Sequence, residues 1–251
     1  MPIYIAVFTA KGGVGKTVTA AHVAGALQLI GRSVVLVDAD PQRNLSGAVG
    51  QYLSVYAGKR ANSVVRVFTD DEADNQIGRM HTPPNFVVVD CSPSPTAGDA
   101  TERYINLANC CICPITLSPL GVGKGGQRIT DSLRFIRAEA NNKQAEVLVL
   151  VNRYPARLTQ SAISSLGNAR TAVRFAITKA HDKHLHFLDP EHDAIKIRDS
   201  GALERFGDGT PVFPAGQGGT HPREDFMGLV SYLRDKGLLM LKEHEAVEAF
   251  A

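Results

Sequence analysis

Lys11-Gly12-Gly13-Val14-Gly15-Lys16-Thr17 stands between a short apolar run, residues 3–9, and a stretch of helical periodicity, residues 16–30. Glycines at this density let the backbone reach positive φ and turn successive N–H groups toward a polyphosphate. The helix that follows adds the positive end of its dipole at the same point. Lys16 is spaced to reach the outer phosphates, and the Thr17 hydroxyl to ligate Mg²⁺. A glycine-rich turn with incidental lysines is the competing reading. The strand before and the helix after weigh against it, because phosphate loops of this kind need that context.

Outward from the loop, short apolar runs alternate with longer amphipathic ones. Residues 3–9, 33–38, 86–90, 110–116, 147–152 and 172–177 read as strands, apolar on both faces as parallel strands between two helical layers are. Residues 16–30 and 127–140 read as helices; in the second, Ile129, Leu133 and Ile136 share a face. The alternation predicts an α/β fold: one three-layer domain over residues 1–251, a mostly parallel sheet with helices on both faces, and residues 238–251 as a C-terminal tail. With 21% charged residues and a net charge of +2, composition excludes collagen-like and disordered classes and announces no polyanion. No apolar run approaches the ~20 residues of a membrane span. The first residues lack a signal-peptide pattern, and the four cysteines sit in or beside apolar runs, so a reduced, cytoplasmic setting is expected. The near-neutral total hides a polarity: residues 62–102 carry a net −5 and residues 124–174 a net +6.

Acids punctuate the strand ends. Val37-Asp38-Ala39-Asp40-Pro41-Gln42 places two carboxylates two residues apart where ligands bind in open α/β sheets, and Phe86-Val87-Val88-Val89-Asp90 ends a buried strand on a third. In the loop itself, Ala10 replaces the usual first glycine of G-x-x-x-x-G-K-[ST], and a second lysine, Lys11, has no evident task within its own chain. With these features the sequence resembles the ParA/MinD family of ATPases with a deviant phosphate loop, closest to partition ATPases that lack an N-terminal DNA-binding domain. Pro41-Gln42 favours the partition branch. Cys91-Ser92-Pro93-Ser94-Pro95 departs from the Thr/Ala-Pro-Pro that usually follows the third acid.

The resemblance implies a P-loop ATPase, weak alone, that binds ATP and Mg²⁺ through Lys11, Gly12, Gly13, Val14, Gly15, Lys16, Thr17 and Val18. Lys11 would cross a homodimer interface formed on ATP binding and neutralise charge on the partner's nucleotide. Asp40 would orient the attacking water, so Lys11, Lys16 and Asp40 form the catalytic set. Thr17, Asp38 and Asp90 would serve Mg²⁺, Asp38 also joining the Lys11 network. Asn152, closing the strand at 147–152, would read the adenine edge, and the loop at Val212-Phe213-Pro214 would flank the ring. The dimer would hold nonspecific DNA through Lys179, Lys196, Arg198 and Arg223, by phosphate neutralisation. A ParB-like or cargo-adaptor protein would stimulate hydrolysis, and the protein would associate with the nucleoid.

Three competing features are weighed against this. In Cys110-Cys111-Ile112-Cys113, strand alternation sends Cys111 and Cys113 to one face and Cys110 to the other, which favours core thiols over an iron–sulfur or metal-handling scaffold. His181, His184, His186 and His192 read as an exposed polar insertion at 181–194 that contacts a partner, with a Zn²⁺ site as the alternative. Residues 238–251 hold Glu243, Glu245 and Glu248 against Lys242, so a MinD-like membrane helix is disfavoured.

Overall fold

A computed structural model describes residues 1–56, 63–179, 181–193, 195–203, 205–207, 210–214 and 217–239, the side chains of 217–220 excepted. Its centre is an eight-stranded sheet in the order β3-β4-β2-β5-β1-β6-β7-β8. The strands are β1 (Ile3–Val7), β2 (Val34–Ala39), β3 (Tyr52–Val55), β4 (Ser63–Thr69), β5 (Phe86–Cys91), β6 (Cys110–Thr116), β7 (Glu146–Asn152) and β8 (Leu185–Leu188). All pair in parallel except β3, which runs antiparallel to β4 at the edge. Parallel neighbours need crossovers, and helices supply them: α1 (Lys16–Leu29), α2 (Asn44–Val49), α3 (Asp70–Gly78), α4 (Ala100–Leu107), α5 (Pro119–Val122), α6 (Gln127–Arg134) and α7 (Gln160–Lys179); α8 (Gln217–Asp235) follows the last strand.

Two hydrophobic layers follow from strand alternation. Ile5, Val7, Leu36, Val88, Ile112 and Leu148 face α1 and α8, whereas Phe8, Val37, Val89, Cys111, Cys113 and Val149 face α4, α6 and α7. Cys110 lies in the first layer and Cys111 and Cys113 in the second, as alternation requires. All four thiols are buried and free, and burial pushes the Cys111 thiol up to about 12. β5 and β1 are neighbours, yet the chain leaves β1 toward β2 on one side of the pair and β5 toward β6 on the other. That reversal opens a crevice at the carboxyl end of β1, where open α/β sheets bind ligands.

Two expectations are corrected together. Residues 172–177 are not a strand but the last part of the 20-residue α7. Ala162, Leu166, Ala169 and Val173 recur at helical spacing and are buried, while Phe175 is 62% exposed. A six-residue apolar run carries no period of its own, and the longer repeat prevails. The strand that completes the sheet, β8, lies instead in the His-rich segment read as an exposed insertion. There His184 Nδ1 and His186 Nε2 lie 2.8 and 2.7 Å from the two carboxylate oxygens of Glu146 on the neighbouring β7. Burial raises the Glu146 carboxyl, and the bonds from both imidazoles outweigh it and hold the group below its ordinary range.

The helix expected at 127–140 forms with its buried stripe, but Phe135–Glu139 widens into a π-turn closed by Ala140 N–H on the Phe135 carbonyl at 2.8 Å. Among the described residues no helix is long and apolar enough to cross a membrane. Of the expected tail, Leu238 and Leu239 pack against the first core layer, and residues 240–251 lie outside the described residues.

Candidate functional site

The glycine-rich loop leaves β1 in the crevice and enters α1. Gly13 and Gly15 adopt φ of +76° and +88°, which a side chain would oppose. At Gly15 a Cβ would also lie 2.2 Å from Asn152 Nδ2. The loop is braced from a distant strand and a distant helix. Asn152 Nδ2 donates to the Val14 carbonyl at 2.9 Å, and Ala10 N–H donates to Ser132 Oγ of α6 at 2.9 Å. Ala10 therefore takes the place of the usual glycine with its backbone anchored, outside the positive-φ region.

The two lysines behave differently. Lys16 is 93% buried, and its Nζ donates to the Lys11 carbonyl at 3.1 Å, so the ammonium is folded over the loop. Burial lowers its pKa, against the pull of Asp90 and Asp40. The Lys11 side chain is half-buried, and among the described residues no hydrogen bond or ion pair holds its ammonium.

Parallel register sets Asp38 beside Asp90 at the carboxyl edge of β2 and β5. Their environments separate them. Asp38 Oδ2 accepts from Ser46 N–H and Oγ at 2.8 and 2.7 Å, and Oδ1 accepts from Asp40 N–H at 3.3 Å. Asp40 Oδ1 accepts from Gln42 N–H at 3.0 Å. Asp90 is buried with neither carboxylate oxygen partnered by a protein hydrogen bond. Burial pushes it up to about 7, and the Thr17 hydroxyl and Lys16 oppose the shift. A buried carboxylate with orphaned oxygens beside Thr17 suits a hard divalent cation, so the donor set fits Mg²⁺ through Asp90 and Thr17. Asp38 instead has most of its acceptor capacity engaged in holding its own loop.

Arg43 is a further member of the site that the sequence reading did not single out. At φ +52° it starts α2, donates from Nη1 to the Asp38 carbonyl at 2.6 Å, and pairs with Asp70 and, at 3.2 Å, with Asp71 at the start of α3. Neither Arg43 nor Ser46 carries a motif signal. Only their proximity to Asp38 marks them.

Beside the loop lies a cavity of about 140 Å³ lined by Gly15, Val18, Asn152, Arg153, Asp199 and Ser200, among others. Its position suits the base of a nucleotide whose phosphates lie in the loop. Asn152 is placed at its wall, but with Nδ2 on Val14 and Oδ1 accepting from Arg153 N–H at 2.9 Å. Pro214 does not line it; the adjacent Val212 pairs with β3 at Val55, and Phe213 packs against His22 of α1. Asp199 and Ser200 were not foreseen, since their segment is brought to the cavity by pairing with the end of β7 and the residues after it, through contacts such as Tyr154–Arg198, Ile197–Val151 and Asp199–Tyr154.

The four basic residues expected at a DNA surface are dispersed in bonding state. Lys179 and Arg223 are exposed. Lys196 Nζ sits 4.4 Å from the Tyr154 ring centroid and donates to the Pro190 carbonyl at 3.2 Å. Arg198 is held by Asp225 at 2.7 Å and Glu224 at 3.0 Å.

Comparison with known proteins agrees with this geometry. The CobQ/CobB/MinD/ParA nucleotide binding domain matches residues 5–175. Maintenance of carboxysome distribution protein A of Halothiobacillus neapolitanus is 33% identical over 169 residues, 65% of this chain and 74% of that protein. Among solved structures, pNOB8 ParA bound to nonspecific DNA superposes with a TM-score of 0.63 at 14% identity, covering 94% of this chain and 99% of the other. Cobyrinic acid a,c-diamide synthase from Mycobacterium smegmatis with bound ADP and magnesium gives 0.53 at 19% identity, covering 94% and 97%. A mostly parallel sheet whose connections reverse between β5 and β1, a braced glycine loop and a buried acid facing it are thus the features of a P-loop fold, and the chain belongs to the CobQ/CobB/MinD/ParA nucleotide-binding family.

Proposed function

We propose that the protein is an ATP-hydrolysing positioning switch of the ParA type. The observation that carries this reading is the pair of lysines: Lys16 is folded into its own loop, while among the described residues no hydrogen bond or ion pair holds the Lys11 ammonium. In this reading the amides of residues 11–17 and Lys16 bind the triphosphate, Val18 and the adjoining cavity take the base, and two subunits close over two nucleotides. Bound Mg²⁺, held by Thr17 and Asp90, supplies charge neutralisation on the phosphates. Asp40 orients the attacking water, and Lys11 meets the partner's γ-phosphate, a trans contribution worth ~10³–10⁵-fold in related nucleotide switches. The closed dimer holds DNA without sequence preference, with Lys179 and Arg223 the exposed cations at hand. Hydrolysis, accelerated by a ParB-like or cargo-adaptor protein, opens the dimer and releases the DNA, because the γ-phosphate contributes contacts that ADP lacks. The relative named for carboxysome distribution and the ParA bound to nonspecific DNA support a cytoplasmic, nucleoid-associated role in placing a cargo.

The test is mass and DNA retention with a nonhydrolysable ATP analogue and with ADP. A dimer that binds unrelated DNA duplexes with the analogue only, more weakly as salt rises, and that Lys11→Ala reduces to a monomer, is the expected result. A monomer under all conditions removes the reading.

A further inference from the structure

β2 and β5 keep parallel register as far as Ala39 and Cys91, and there the ladder ends. Just past it a single side chain joins the two strand ends. Thr101 lies in the first turn of α4, completely buried. Its Oγ1 accepts from Ser92 N–H at 2.9 Å and donates toward the Ala39 carbonyl at 3.4 Å. Ala39 separates Asp38 from Asp40, and Ser92 lies two residues beyond Asp90. One hydroxyl thus spans the ends of the two strands that bring all three acids to the site.

The base of this bridge is firm. Asp99 caps α4, its carboxylate accepting from Glu102 N–H at 2.9 Å and Thr96 N–H at 2.6 Å, so the turn presenting Thr101 is fixed by its own loop. On the opposite side, Arg43 holds the Asp38 carbonyl at 2.6 Å. A hydroxyl with one proton and two lone pairs suits a bridge between an N–H and a carbonyl. Valine would fill the same volume while leaving both backbone groups buried and unpartnered.

We propose that Thr101 is a positioning residue for hydrolysis: it sets the separation between the water-orienting acid Asp40 and the metal-facing acid Asp90, so that the loops after β2 and β5 move as one. The inference rests on the ATPase reading given above. Thr101 is completely buried and does not line the cavity beside the glycine loop, so its loss should leave ATP binding intact and impair turnover.

Thr101→Val and Thr101→Ser are compared with the wild type in single-turnover ATP hydrolysis, ATP-analogue affinity, Mg²⁺ dependence and amide exchange of the nucleotide-free protein. The valine variant should hydrolyse roughly ten- to a hundredfold more slowly, with analogue affinity within about twofold and a higher Mg²⁺ requirement. Its Ser92 amide should exchange about tenfold faster even without nucleotide, and the serine variant should restore all these properties. Thr101→Ala carries the same expectation if the valine variant does not fold. An active wild type matched by Thr101→Val, or a serine variant as impaired as the valine one, overturns this proposal alone. A wild type that hydrolyses no ATP overturns the ATPase reading and this proposal with it.

Discussion

The phosphate loop and the acid edge share one end of the sheet but are held in different ways. The loop takes its shape from within: two glycines at positive φ, a turn from Lys11 N–H to the Thr9 carbonyl, and Lys16 folded onto Lys11, with two braces from outside. The acid edge is shaped by partners from other elements, namely Ser46, Arg43 and the acids at the start of α3. The difference teaches where each can move. Backbone conformation gives the gripping element a nearly fixed form, whereas side-chain bonds, each worth only about 1 kcal/mol net, can be exchanged when a ligand arrives.

The comparison breaks most sharply at Lys16. Lys16→Ala should lower ATP affinity by roughly a hundredfold or more, since a charge-assisted contact in a buried site is lost; calorimetry showing unchanged affinity would remove Lys16 from the phosphate site. On the acid side, Asp40→Ala should leave ATP affinity within about twofold and slow hydrolysis by about a hundredfold, trapping dimers; a wild-type rate would exclude Asp40 as the orienting acid. Gly15→Ala tests whether the loop is shaped internally. Its φ of +88° alone costs ~1–2 kcal/mol, and the approach to Asn152 adds to it. ATP affinity should fall by about tenfold or more, and the Gly15→Ala/Asn152→Ala double variant should recover only the part due to the clash; full recovery would show that backbone strain is not what matters.

The smallest effect is expected far from both regions. Arg170 holds the Asp189 carboxyl down to about 2, below its ordinary 3.8. A depressed carboxyl contributes stability that is complete above about pH 4 and is lost as pH falls through about 2. Asp189→Asn should flatten that acid limb by about 1 kcal/mol, the exposure of Arg170 limiting the gain. Denaturant melts at pH 2 and pH 6 with the same difference in both proteins would show the pair to be neutral.

Legibility in the sequence follows the same division. The loop could be read because glycine, lysine and threonine at fixed spacing have few other uses. The acids were legible as strand ends, but not their bonding states: Asp38 and Asp90 are equivalent in a string of letters and opposite in the fold, one engaged by Ser46 and the Asp40 N–H, the other orphaned. The amide of Asn152 reads as a base contact, and the fold places it at the cavity wall with Nδ2 on the Val14 carbonyl, a bond no string of letters declares. Arg198, read as a cation for DNA, is paired with Asp225. The error at 172–177 and the missed β8 share one cause, since short apolar runs do not declare their period and β8 is defined by what pairs with β7.

By itself the sequence determined the alternation of strands and helices, the glycine loop between β1 and α1, and the burial of the cysteines on opposite faces, because these depend on local backbone freedom and on side-chain period. Only the tertiary structure decided which acid is free, which lysine is turned inward, and that Thr101 spans two strand ends. Those properties depend on which groups, far apart in the chain, come within about 3 Å of each other, the range at which hydrogen bonds form.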